Sequence, residues 1–187
     1  LGLDRPVPVQ YALWLGRTLK GDMGETIRDR KPVSRIVTQR LPTTIHLGGT
    51  AFLLSFMVGI PLGILSAVWR GSFGDYVGRF LALLGQAVPS FWLGLVLIML
   101  FAVHWRLFPA ALRGDGIWDV KHLVLPTITL AAGGFAFYMR ITRAAMLEVL
   151  DSEYVRLARA KGVSNNRVIW KHAFKNAVIQ PLTGATL

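Results

Sequence analysis

The sequence predicts an all-α, polytopic helical membrane protein. Its 187 residues are 53% hydrophobic and only 17% charged, and the mean hydropathy is +0.47. Soluble domains average about 25% charged residues. Aromatic residues make up 11% of the chain, too many for a solvated disordered segment. Cysteine is absent, which excludes disulfide scaffolds, cysteine-ligated zinc and thiol catalysis.

The second observation that predicts a membrane protein is a set of three runs without Asp, Glu, Lys or Arg. They cover residues 41–69, 80–105 and 122–139, and a helix needs about 20 apolar residues to cross a bilayer. A buried helix of a soluble protein would need a polar face, which such runs lack. We predict spans at about 45–69, 80–104 and 123–146, and the start of another at 176–187. Because the chain begins with Leu and ends inside an uncharged run, we expect a piece of a longer protein.

Residues 1–44 are predicted to be a segment with short amphipathic helices outside the membrane. Pro6 and Pro8 suit the first turn of a helix that Gly21 ends, and Pro32 suits the start of a second. Aromatic and cationic side chains on such helices are typical of a membrane surface. A plain connecting segment fits the same residues.

Proline and glycine residues inside the spans have two interpretations. Packing and kinking explain all six, because membrane helices tolerate proline and use glycine for close approach; they are Pro61, Pro89, Gly85, Gly94, Gly133 and Gly134. A sharper interpretation places Gln86, Pro89 and Ser90 at a bend that lines a translocation path, since an amide that faces lipid is costly.

The predicted loops do not decide the orientation of the chain. Residues 70–79 and 106–121 connect the spans, and the second loop is expected to hold a short surface helix that ends near Trp118. Lys and Arg number eleven on one side of the membrane and ten on the other, so the positive-inside rule gives no answer.

Residues 147–175 form a predicted basic helix–turn–helix loop. Apolar residues at helical spacing up to Leu157 indicate that the third span continues out of the membrane as an amphipathic helix. Gly162 suits its end, and Ser164 suits the cap of the next helix. The loop then either contacts anionic headgroups or docks on another protein. Nucleic-acid binding is disfavoured, because tethering between two spans blocks entry into a groove.

This loop resembles the cytoplasmic loop of binding-protein-dependent ABC transporter permeases, specifically of the dipeptide/oligopeptide branch. The resemblance covers nearly the whole chain. The motifs that carry it are residues 153–162, Val168, His172, Asn176-Ala177 and Pro181, and upstream residues 1–6, 21–24, 40–44, 89–94 and 140–143. Two positions depart from the general permease pattern: its glutamate is replaced by Arg156, and its Leu-Pro falls near Phe174-Lys175.

The resemblance implies a type I ABC importer permease that lacks its first span and its last part here. It implies a cytoplasmic 147–175 loop, with residues 1–44 and 106–121 on the outside. The loop would be a coupling helix that docks on an ATPase subunit. Its contact residues would be Ala158, Arg159, Lys161, Gly162 and Val163, with Arg156 and Arg167 as flanking ionic partners.

The resemblance also implies partners in a bacterial inner (plasma) membrane. They are a second homologous permease subunit, two ABC ATPase subunits that use ATP and Mg²⁺, a periplasmic or extracellular substrate-binding protein, and the lipid bilayer, without nucleic acid. The chain itself has no Gly-x-x-x-x-Gly-Lys-Ser/Thr run, so we expect no ATPase activity, bound cofactor, metal site or catalytic residue. Arg140 and Arg143 are expected to snorkel to headgroups; a gating or substrate-carboxylate role is the alternative. The alternative function is a structural or anchoring membrane protein with a basic surface-binding loop.

Overall fold

A computed structural model of the chain describes residues 5–110 and 119–184, and the described part is built of helices. The chain divides into two compact units, Leu1–His46 and Leu47–Leu187. The short surface helix predicted near Trp118 lies outside the described residues.

The first unit contains helix α1, a tight turn and the first part of helix α2. Helix α1 covers Val7–Leu19 and begins after Pro6, and Gly21 follows its end with a φ of +87°. Both ends match the prediction. In the turn, the Thr26 hydroxyl donates a 2.7 Å hydrogen bond to Asp29, which lowers the pKa of that carboxyl, and Lys31 lowers it further.

Helix α2 runs without a break over Val33–Val68. It begins directly after Pro32, as predicted, but the separate short helix and the span from residue 45 are one element. The helix is continuous because Pro42 and Pro61 are both accommodated within it.

Small residues on α2 let it approach helix α5 (Val120–Leu150) closely. A Cβ added at Gly63 would lie 2.7 Å from the Met139 carbonyl oxygen, and one at Gly59 would lie 2.8 Å from Cβ of Tyr138. The Ser55 hydroxyl lies 2.9 Å from the Ala131 carbonyl oxygen on α5. The buried small residues recur every fourth position, a pattern that supports close crossing of membrane helices; they are Ala51, Ser55, Gly59, Gly63 and Ala67.

The segment after α2 differs most from the prediction. Helix α3 covers Phe73–Ala87, so most of the predicted 70–79 loop is helical. The Ser72 hydroxyl accepts a 3.2 Å hydrogen bond from the Asp75 amide and caps the helix. Helix α4 covers Ser90–Leu97 and continues as a π-helix over Ile98–His104.

The predicted straight span over 80–104 is broken between α3 and α4. The two parts are bent by 107° at the break. Val88 has an extended backbone, with φ −80° and ψ 124°, as expected of a residue that precedes a proline. Pro89 therefore bends the chain, as its sequence position suggested.

Three of the four span glycines have the predicted packing role. A Cβ at Gly85 would lie 2.8 Å from the Ala132 carbonyl oxygen, one at Gly134 2.6 Å from the Ser55 hydroxyl, and one at Gly94 3.3 Å from Thr129. No atom lies within 4 Å of the corresponding position at Gly133. The prediction for Gly133 was wrong, since that glycine faces open space.

By length and composition, two described helices can cross a membrane. They are α2 with 36 residues and α5 with 31, and the bent pair α3–α4 makes a third if it counts as one span. At 1.5 Å per residue, α5 is about 46 Å long, more than the hydrocarbon core of about 30 Å requires. One end of α5 therefore extends beyond a bilayer core.

The chain beyond α5 is a series of short helices. Helix α5 ends at Leu150, and α6 covers Glu153–Ala160. A continuous helix through both was expected, but Asp151 and Ser152 interrupt it, and Ser152 Oγ donates to the Val149 carbonyl. The later helices are α7 (Asn165–Arg167), a π-helix (Val168–Phe174), α8 (Lys175–Ala177) and α9 (Ile179–Gly184).

Candidate functional site

Residues 153–175, which we call the hairpin, form the first candidate site. Helix α6 ends in a tight turn at Gly162, whose φ is +76°. The Gly162 amide donates to the Arg159 carbonyl at 2.9 Å, and the Val163 amide donates to the Ala158 carbonyl at 3.2 Å. A side chain with a Cβ is strained in this backbone region, which explains the glycine.

The inner face of the hairpin packs against α2 and α5. Val155 and Val168 are completely buried. Ile169 and Ala173 belong to one apolar core with residues from α2 and α5, among them Ile64 and Met146. A displacement of the hairpin would therefore displace α2 and α5 as well, because close-packed interiors transmit strain.

A hydrogen-bonded clamp joins the two arms of the hairpin. The Tyr154 hydroxyl donates to the His172 carbonyl at 2.6 Å, and the Asn176 amide donates to that hydroxyl at 2.7 Å and to the same carbonyl at 3.0 Å. These three residues belong to the motif that carries the family resemblance. They fix the geometry between α6 and the second arm.

The outer face of the hairpin is cationic. Arg159, Lys161 and Arg167 are exposed, and among the described residues no salt bridge involves them. Arg156 is also exposed and is 2.8 Å from Glu153 in the same helix.

Most of the predicted docking residues are exposed on the hairpin. Gly162 is exposed with these cations, and Val163 is half-buried. Ala158 is the exception: its side chain is 9% exposed and packs inward. It lies on the same side of α6 as the buried Val155.

The bend between α3 and α4 forms the second candidate site. A cavity of about 480 Å³ lies between this bend and α5, and Gln86, Pro89 and Ser90 all line it, together with Thr129 and Gly133. The structure brings the three predicted path residues together. The Gln86 side chain is engaged, because its carbonyl accepts a 2.7 Å hydrogen bond from Arg140.

A buried ionic cluster, which the sequence analysis missed, connects α2, α3 and α5. The Asp75 carboxylate is 1% exposed and receives both Nε and Nη2 of Arg143, at 2.9 and 3.1 Å. The Ser66 hydroxyl and the Gly71 amide also donate to it. The sequence contains a signal for this site: Ser72-x-x-Asp75 is a capping-box pattern before an apolar run, and it marks a helix start rather than a loop.

The two arginines of α5 have different roles. The Arg143 side chain is only 19% exposed and is bound to Asp75, so the expectation that it snorkels to headgroups was wrong. A nearby buried carboxylate is a stronger partner for a guanidinium than solvated headgroups. Arg140 is exposed and bonded to Gln86.

Comparison with known proteins identifies the family. Residues 59–187 match the family described as the binding-protein-dependent transport system inner membrane component. This chain belongs to that family. The chain is 42% identical to the oligopeptide transport system permease protein AppB of Bacillus subtilis (strain 168), over 97% of its own length and 60% of the relative.

Two further relatives are similarly identical to this chain over nearly its whole length. The dipeptide transport system permease protein DppB of Escherichia coli (strain K12) is 38% identical over 98% of this chain and 62% of the relative. A putative peptide transport system permease protein of Brucella suis is 42% identical over 98% of this chain and 60% of the relative. The chain therefore spans about 60% of the length of these relatives. The predicted resemblance is confirmed, and the anchoring alternative is not favoured.

Proposed function

We propose that this chain is the membrane-spanning permease part of an ABC importer for dipeptides, oligopeptides or a related small solute. The observation that carries the proposal is the identity of 38–42% with peptide transport permeases over 97–98% of the chain. In this proposal the chain transmits motion and does not itself catalyse a reaction.

The hairpin supports a coupling role. Its outer face presents exposed cations around Gly162, and its inner face shares a core with α2 and α5. A partner that moves the outer face would thus move two helices long enough to span a membrane. The docking residues are Arg156, Arg159, Lys161, Gly162, Val163 and Arg167, with Ala158 as packing beneath them.

The proposed assembly contains a second permease subunit, two ABC ATPase subunits and a periplasmic or extracellular substrate-binding protein. The ATPase subunits bind ATP and Mg²⁺, and this chain binds neither. The hairpin faces the cytoplasm and residues 1–44 face outward from a bacterial inner (plasma) membrane. We further propose that Gln86, Pro89 and Ser90 line the path of the solute, which the cavity at their bend supports.

The test is Gly162→Val in the full-length permease, reconstituted with its partners in proteoliposomes. We expect membrane insertion to be retained, solute transport to be lost, and ATP hydrolysis to continue without transport. The reason is that a β-branched residue strains the positive-φ turn and reshapes the contact surface.

Gly24→Val is the matched control. Gly24 has a φ of +77°, and, as at Gly162, no atom lies within 4 Å of an added Cβ. It is in the first unit, far along the chain from the hairpin. Unaltered transport by Gly162→Val would refute the docking proposal, and equal losses in both variants would show that strain alone, not docking, is responsible.

A further inference from the structure

A groove between α3 and α5 contains more cationic than anionic side chains. Its volume is about 260 Å³, and Arg79, Arg140 and Arg143 line it together with Gln86 and with alanine and leucine side chains. The groove is distinct from the hairpin surface. It shares Gln86 with the cavity at the α3–α4 bend, but its arginines do not line that cavity.

One carboxylate, that of Asp75, contacts two of these three guanidinium groups. Asp75 binds Arg143 through two contacts and lies 3.4 Å from Nε of Arg79. Arg140 contacts the neutral amide of Gln86, and among the described residues no salt bridge involves it. Since the groove has two more guanidinium groups than carboxylates, an anion there would be stabilised.

The position of the groove along the helices fits a membrane headgroup. Arg79 directly precedes the uncharged run that begins at Phe80, and Arg140 directly follows the uncharged run that ends at Met139. The groove therefore lies where the apolar parts of both helices end. Leu83 lines it and is 63% exposed, and Phe80 beside it is 59% exposed.

We propose that this groove binds one anionic phospholipid. The guanidinium groups of Arg140 and Arg79 hold the phosphate, because their planar donors match phosphate oxygens, and Gln86 fixes the orientation of Arg140. An acyl chain follows the exposed apolar side chains of α3. Basic pockets between membrane helices bind lipid headgroups by the same chemistry. A peptide carboxylate would satisfy the charge but would leave the apolar flank uncovered.

The test is native mass spectrometry of the purified full-length permease in detergent, supplied with equal amounts of phosphatidylglycerol and phosphatidylcholine. The wild type should retain one phosphatidylglycerol in preference to phosphatidylcholine. Because one cation near a headgroup changes affinity by about fivefold, Arg140→Gln should lower this preference about fivefold. Arg79→Gln should act in the same direction. Arg28→Gln, which removes an exposed cation of the turn before α2, should leave the preference unchanged.

Competition distinguishes the possible occupants. Excess inorganic phosphate or the tripeptide trialanine should not displace the lipid. Displacement by phosphate would show a free-phosphate site, and displacement by trialanine a peptide site; either result overturns the proposal. Equal retention of the two lipids by the wild type, or equal effects of Arg140→Gln and Arg28→Gln, would also overturn it. If Arg140→Gln does not survive purification, Arg79→Gln decides the question by the same comparison.

Discussion

The buried ionic cluster gives the sharpest stability prediction. Asp75→Asn keeps the shape of the side chain but removes the charge that neutralises Arg143. The carboxylate is 1% exposed and receives two hydrogen bonds from that guanidinium. Hydrogen bonds to charged groups contribute about 1.5–3 kcal/mol each, and breaking a buried ion pair costs about 3–5 kcal/mol. The Asn carbonyl still accepts one bond, so we expect a loss of about 3 kcal/mol in the free energy of unfolding.

Asp151→Asn is the control for this change. Asp151 lies 3.5 Å from Arg70, and both side chains are about two-thirds exposed. Exposed pairs contribute at most about 1 kcal/mol. Denaturant titration of the purified chain in detergent, followed by tryptophan fluorescence, measures both free energies. If the two variants lose equal stability, the cluster does not hold α2, α3 and α5 together.

A double mutant separates the ion pair from its surroundings. Combining Asp75→Asn with Arg143→Gln removes both charges, so the buried guanidinium is no longer left unpaired. We expect the double variant to lose clearly less stability than the sum of the two single variants. Additive losses would mean that the two side chains act independently.

Three further predictions concern packing, the clamp and the path. Gly63→Ala should lower the free energy of unfolding by about 1–3 kcal/mol, because its Cβ would lie 2.7 Å from the Met139 carbonyl oxygen. Gly49→Ala, on the same helix, has open space and should raise the free energy of unfolding by up to about 1 kcal/mol. Denaturant titration compares the two variants. Tyr154→Phe should cost about 1 kcal/mol and speed proteolysis of the hairpin, since the hydroxyl joins its two arms. Ser90→Cys should react with a soluble maleimide and be protected by transported solute in the assembled importer; reaction unaffected by solute would contradict a place on the path.

Long uncharged runs predicted apolar helices where α2 and α5 lie, and these are the two described helices long and apolar enough to cross a membrane. The same reasoning predicted a helix start at Pro32 but not that this helix and the following span are one continuous helix, since the charged residues before the apolar run hide the continuity. In residues 70–79 a helix start was mistaken for a loop. Glycine and charged residues suggested a loop there, whereas Asp75 is buried by partners that are 9 and 68 positions away in sequence.

The candidate site was predictable to the extent that it depends on local motifs. The turn at Gly162 and the cationic outer face follow from the sequence alone. The inward direction of Ala158 and the Tyr154 clamp depend on contacts between α6 and the second arm, which a helical pattern does not specify. The partner of Arg143 was likewise hidden, because it is on another helix.

Lys161→Cys tests the central claim most directly, in an assembled importer whose other cysteines have been replaced; the 187 residues themselves contain none. We expect this cysteine to cross-link to an ATPase subunit, and to react with a membrane-impermeant maleimide in inverted vesicles but not in sealed cells. Labelling from the outside of sealed cells, without any cross-link to an ATPase, would contradict the claim that the hairpin couples ATP hydrolysis to transport.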